Sequence, residues 1–123
     1  MAEILTPSNL DEAVDAIRQM ETDGHSLQPC GNRTRISRHD PDAAPALWLS
    51  LSKLDSILDI QPGDLTCTLQ PGVSAAMLDE ALAPHGLELG TLSPGEANGT
   101  LGGLFLAPDL SLLRHRHGPP RDQ

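Results

Sequence analysis

Thr91-Leu92-Ser93-Pro94-Gly95-Glu96-Ala97-Asn98-Gly99-Thr100-Leu101-Gly102-Gly103 is the stretch on which the reading of this chain turns. Four glycines, a proline and an Asn-Gly pair leave it with little helix or strand propensity. Closely spaced glycines let a backbone adopt positive φ and approach another surface with no Cβ in the way. Their amide N–H groups can then converge on an anion such as a phosphate. A second bend of this kind lies upstream at Pro29-Cys30-Gly31-Asn32-Arg33-Thr34. Either bend alone reads equally well as a plain turn. Two of them, separated by strand-like and helix-like segments, point to a nucleotide ligand.

Outward from these bends, composition bounds the answer. A length of 123 residues corresponds to one domain with a modest core. One Trp, one Phe and no Tyr make that core aliphatic. Seventeen acidic against eight basic residues give a net charge of -9, which argues against nucleic acid and anionic membranes as partners. The bases are unevenly spread. Arg33, Arg35 and Arg38 follow Gly31 with no acid among them, and Arg114, Arg116 and Arg121 crowd the end of the chain with His115 and His117. Arginines kept beside a glycine bend suit a small anionic ligand.

The first residues lack a basic segment followed by an apolar run, so no signal peptide is expected, and no run reaches transmembrane length. Cys30 and Cys67 lack metal-ligand or redox-motif spacing and are expected to be reduced thiols in a cytoplasmic protein. His115 and His117 have no evident third ligand, so no metal is assigned. No Ser/His/Asp grouping or carboxylate pair suggests hydrolysis, and no catalytic residue is assigned.

Periodicity predicts a helix after Pro7-Ser8-Asn9, with Leu10, Ala13, Val14, Ile17 and Met20 on its inner face and Gly24 as its stop. Ser26–Cys30 reads as a short strand despite Pro29, and Ala46–Leu51 as a strand placing Leu47, Leu49 and Leu51 on one face. Pro62-Gly63-Asp64 is a turn joining strands Ile57–Ile60 and Leu65–Leu69 into an antiparallel hairpin. Its alternation turns Leu65, Cys67 and Leu69 inward, with Cys67 acting as a small buried hydrophobe. Ser74 caps a helix over Ala75–Ala83 whose inner face is Leu78, Ala81 and Leu82. Leu87–Leu89 is extended, and Leu104–Ala107 is a buried element after the Gly-Gly pair. The class is α+β, with a small mixed sheet and two flanking helices.

The succession of the Pro62-Gly63-Asp64 turn, an alternating strand, Pro71-Gly72-Val73-Ser74, a helix ending at His85-Gly86 and then Gly99-Thr100-Leu101-Gly102-Gly103 resembles one family. It is similar to the FAD-binding (PCMH-type) domain of the vanillyl-alcohol oxidase/p-cresol methylhydroxylase flavoenzymes, the FAD-linked oxidases. Within that family it shows particular likeness to the small FAD-domain subunit of bacterial glycolate oxidase. The resemblance implies that Gly31, Asn32, Arg33 and Thr34 form a first pyrophosphate loop and Gly99, Thr100, Gly102 and Gly103 a second, with FAD as cofactor. The implied activity is oxidation of a small alcohol or 2-hydroxy acid with hydride transfer to the flavin.

Three departures qualify the match. The first loop has one glycine where the family has several. It carries no His, so no covalent flavin link is expected. Residues 1–123 cover only a partial FAD domain, better supported over 1–106 than over the basic tail 107–123, with no substrate-binding cap. The expectation is a truncated flavoprotein portion that is inactive alone and works with another subunit or with the remainder of its domain. The alternatives are a non-catalytic relative that keeps the fold without FAD, and a small α+β binding module with a coincidental likeness.

Overall fold

The computed structural model describes residues 3–32, 47–89 and 99–106. In chain order they form β1 (Glu3–Leu5), α1 (Leu10–Asp23), β2 (Leu27–Cys30), β3 (Leu47–Ser50), β4 (Ile57–Gln61), β5 (Thr66–Leu69), α2 (Ala75–Leu82), a tight helical turn at Ala83–His85, and α3 (Leu101–Leu106). The α+β class holds. The expected single mixed sheet is in fact two sheets, a parallel one ordered β1-β3-β2 and an antiparallel β4-β5 hairpin.

In the parallel sheet Leu47 lies between Glu3 and Leu27, and Ser50 lies opposite Cys30. β1 is a strand that no alternation in the sequence announces; at three residues it is too short to show a period. β2 is an edge strand, which is why Pro29, lacking an N–H, is tolerated in it. The central β3 is the most buried, with Leu47 and Leu49 in the core.

α1 starts and stops as its sequence dictates. The Asn9 side chain accepts a hydrogen bond from the Glu12 N–H at 2.9 Å, while the Glu12 carboxylate accepts one from the Ser8 N–H at 2.7 Å. Gly24 closes the helix at φ 68°. The predicted inner face is only partly inward. Ala13 is buried, but Leu10 and Ile17 are 64% and 48% exposed.

The second half packs around Val73, Leu78, Leu82, Leu101 and Leu104, with Ile57, Ile60, Leu69, Leu87 and Leu89 against them. Full burial of a side chain such as Leu78 is worth roughly 2 kcal/mol. Ser74 caps α2 by accepting from the Met77 N–H at 3.1 Å. Leu87–Leu89 makes no strand.

The antiparallel hairpin forms as expected, with Ile60 opposite Cys67, Ile57 opposite Leu69 and a register shift between Ile57 and Asp59. Two of its inward assignments do not hold. The Asp64 N–H donates to Gln61 O and the Leu65 N–H to Pro62 O, which extends the turn through Leu65 and leaves it left-handed at φ 56° and 75% exposed. Cys67 is exposed as well, because the hairpin meets the core only through Ile57, Ile60 and Leu69. The Gly-Gly pair also differs from expectation, since Leu101-Gly102-Gly103 forms the first turn of α3. The buried element therefore begins at Leu101, and Phe105 is 46% exposed.

Gly72 is where the two halves join. Its N–H donates to Leu54 O at 2.7 Å, and a Cβ built on it would lie 2.6 Å from that same oxygen and closer still to Leu51 O. Gly72→Ala is therefore expected to cost about 1–3 kcal/mol in chemical denaturation. Gly63→Ala, with open space around it, is expected to be neutral within about 0.5 kcal/mol. Leu65→Gly relieves a left-handed leucine and should raise stability by about 1 kcal/mol, read as a higher unfolding midpoint. An unchanged or lower midpoint would show that the turn is not strained.

Candidate functional site

β2 and β3 are parallel, so their carboxyl ends lie side by side, and the Leu51 N–H donates to Cys30 O at 2.8 Å there. The chain leaves β2 at Gly31-Asn32. Just beneath, the buried Ser50 hydroxyl donates to Gly31 O at 3.4 Å and shares a hydrogen bond with the Ser52 hydroxyl at 2.9 Å.

Thr100 approaches from the other half of the fold. A Cβ on Gly31 would lie 2.8 Å from Thr100 Cγ2 and closer to Oγ1, so only glycine lets the two bends touch. Thr100 is 5% exposed, and its hydroxyl accepts from the Gly103 N–H at 3.3 Å, capping α3.

What carries Thr100 into place is a seam of main-chain hydrogen bonds. The Ala75 N–H donates to Gly99 O at 3.1 Å, the Leu101 N–H to Val73 O at 2.9 Å and the Gly102 N–H to Pro71 O at 3.0 Å. Ser74 and Thr100 form an antiparallel bridge within it. Gly102 serves this seam, since a Cβ there would lie 2.8 Å from Pro71 Cβ.

Of the residues singled out in the sequence, Gly31, Asn32, Gly99, Thr100, Gly102 and Gly103 thus belong to one junction at the carboxyl end of the parallel sheet. Within it Thr100 and Gly102 face the protein's own atoms, at Gly31 and Pro71. Arg33 and Thr34 lie outside the described residues, as do Arg35, Arg38, the first part of the Thr91–Gly103 stretch and the basic tail. Sequence reasoning missed Ser50 and Gly72. A serine closing the apolar run Leu47-Trp48-Leu49 and a glycine two residues before an N-cap were the available signals.

The segments that meet here are 28–32, 50–54, 70–75 and 99–104. They hold none of the chain's 17 acidic residues, and their one cationic side chain is Lys53. A separate cavity of about 410 Å³, lined by Glu3, Leu5, Met20, His25 and Leu47, lies between α1 and the sheet and shares no residue with the junction. Among the described residues no helix is long and apolar enough to cross a membrane.

Residues 1–123 match the model of a family described as an FAD binding domain. The chain belongs to that family. Two uncharacterized FAD-linked oxidoreductases, from two strains of Mycobacterium tuberculosis, are each 25% identical to it over 97 residues, or 79% of this chain. It spans only 21% of their length. Two structures of alkyldihydroxyacetonephosphate synthase superpose on 97% of the chain with TM-scores of 0.82 and 0.79 at 18% and 17% identity. The chain covers 24% and 22% of those proteins, and at such identity the likeness concerns the fold.

The cofactor of the family is FAD. The junction lies where loops leave the carboxyl ends of parallel strands, a common position for nucleotide ligands in open α/β sheets. Within it the Leu101, Gly102 and Gly103 N–H groups donate to Val73 O, Pro71 O and Thr100 Oγ1. The described segments that meet there carry no acidic side chain, which lessens like-charge repulsion.

Two substitutions probe the junction. Gly31→Ala pushes a methyl into Thr100 and is expected to cost about 1–3 kcal/mol of stability and to weaken FAD binding in the same protein. Thr100→Val keeps the shape but deletes the cap and is expected to cost about 1 kcal/mol in thermal unfolding. Wild-type behaviour of both would mean the bends do not depend on this contact.

Proposed function

We propose that this domain is the FAD-binding portion of an FAD-linked oxidase acting on a small alcohol or 2-hydroxy acid, as glycolate oxidase does. The observation that supports the reading is the contact of Gly31 with Thr100, which brings two glycine bends distant in sequence to one acid-free junction. In this reading Gly31, Asn32, Arg33 and Thr34 hold one side of the FAD diphosphate, and Gly99, Thr100, Gly102 and Gly103 shape the other. Amides of the first loop donate to phosphate oxygens, Arg33 supplies positive charge, and Thr100 and Gly102 hold the second loop against the first.

The chemistry that the flavin supplies when bound is acceptance of a hydride from the carbon bearing the substrate hydroxyl. No described residue is assigned to substrate. Substrate-binding and catalytic groups are expected on the rest of an assembly, either a further part of the polypeptide or a partner subunit in the cytoplasm. The chain spans about a fifth of the relatives' length, in keeping with that division of labour.

The test is FAD uptake by the purified chain. FAD at about a hundred times its Kd is expected to raise unfolding stability by about 2.7 kcal/mol, and the bound flavin to give the protein its absorption bands. Both should be smaller with Gly31→Ala at the same FAD concentration. A folded wild-type chain that takes up no FAD, alone or with a co-purifying subunit, would replace this reading with that of a non-catalytic module.

A further inference from the structure

Among the described residues only two polar side chains are buried, Ser50 and Thr100, and both bear on Gly31. A buried hydroxyl is costly unless hydrogen-bonded, so the bonds these two make indicate what the fold needs held. Thr100 caps α3, and its side chain fills the space a Cβ on Gly31 would take. Ser50 holds the Gly31 carbonyl and is itself bonded to Ser52.

The peptide linking Gly31 to Asn32 is trans, as are all those described. In a trans peptide the C=O and the following N–H point in opposite directions. A carbonyl tied down onto Ser50 therefore turns the Asn32 N–H away from β3. Glycine at position 31 has no side chain to bias that peptide plane, so a hydrogen bond to its carbonyl is one means of fixing it. Ser52 is half-buried and reaches back across two residues to complete the tether.

We infer that Ser50, supported by Ser52, is a positioning residue that sets the orientation of the Gly31–Asn32 peptide and so the geometry of the loop offered to the FAD diphosphate. This rests on the FAD-site reading above and goes beyond it, because Ser50 is outside both glycine bends. Ser50 acts through Gly31 and need not touch the cofactor.

The test uses the full chain and four proteins, namely wild type, Ser50→Ala, Ser50→Thr and Ser52→Ala. FAD affinity is read from quenching of flavin fluorescence, and the Asn32 amide from nitrogen–proton correlation spectra recorded without FAD. Ser50→Ala is expected to shift the Asn32 amide signal and to weaken FAD binding about tenfold. Ser50→Thr, which keeps the hydroxyl, should restore both to near wild type, and Ser52→Ala should fall between. A Ser50→Ala protein that is folded, binds FAD as wild type does and leaves the Asn32 signal in place would overturn the assignment. Equal losses in Ser50→Ala and Ser50→Thr would also overturn it, since packing would then be the cause. If wild type takes up no FAD, the link to the cofactor falls with the reading beneath it. An amide shift in Ser50→Ala reversed in Ser50→Thr would still establish the tether by itself.

Discussion

The contact between the main chain of Gly31 and the side chain of Thr100 is the constraint on which the rest of the molecule depends. One partner ends a strand of the N-terminal parallel sheet, and the other opens the last helix of the C-terminal half. The supporting bonds run back through Gly102 to Pro71 and through Gly72 to Leu54. Each step is a backbone approach with no room for an extra carbon at the glycines. The Val73–Leu78–Leu101 core stabilises the elements by burial, but burial is non-directional and does not by itself decide which loops meet. The seam makes that decision.

Electrostatics act in the same direction. A chain of net charge -9 would repel a diphosphate at most points of its surface. The four described segments that build the junction differ, being made of glycine, proline, hydroxyl, amide and aliphatic residues and one thiol, with a lysine at one margin. Segments without acidic side chains lessen the like-charge repulsion an anion would otherwise meet. That matters for a family in which the cofactor brings the chemistry and the protein supplies its orientation.

Much of this was legible in the residues. The caps at Asn9, Ser74 and Gly24 and the hairpin around Pro62-Gly63-Asp64 are local features with local causes, and they stand where the sequence puts them. The failures have one kind of cause. Alternation marked Leu65 and Cys67 as inward, yet which face of a two-stranded ribbon meets the core is a tertiary matter, and a turn one residue longer took Leu65 out of the strand. The stripe of α1 was right in start and stop, but only part of it is buried, since which residues a neighbour covers is again a tertiary matter. Gly102 and Gly103 were read as loop because glycine disfavours helix, whereas Thr100 caps them into one. Ser50 went unnoticed for the same reason, since its partner, the Gly31 carbonyl, lies 19 residues away and no local pattern links them.

The seam between residues 71–75 and 99–102 is made of amide and carbonyl groups, which every residue except proline possesses in full. Its specification is therefore concentrated in a few places where bulk is forbidden, and elsewhere side chains can drift as long as burial is kept. An architecture written in this way can persist through extensive divergence, because most replacements leave its connections untouched. That accounts for a shape shared with large synthases whose residues mostly differ from those of this chain.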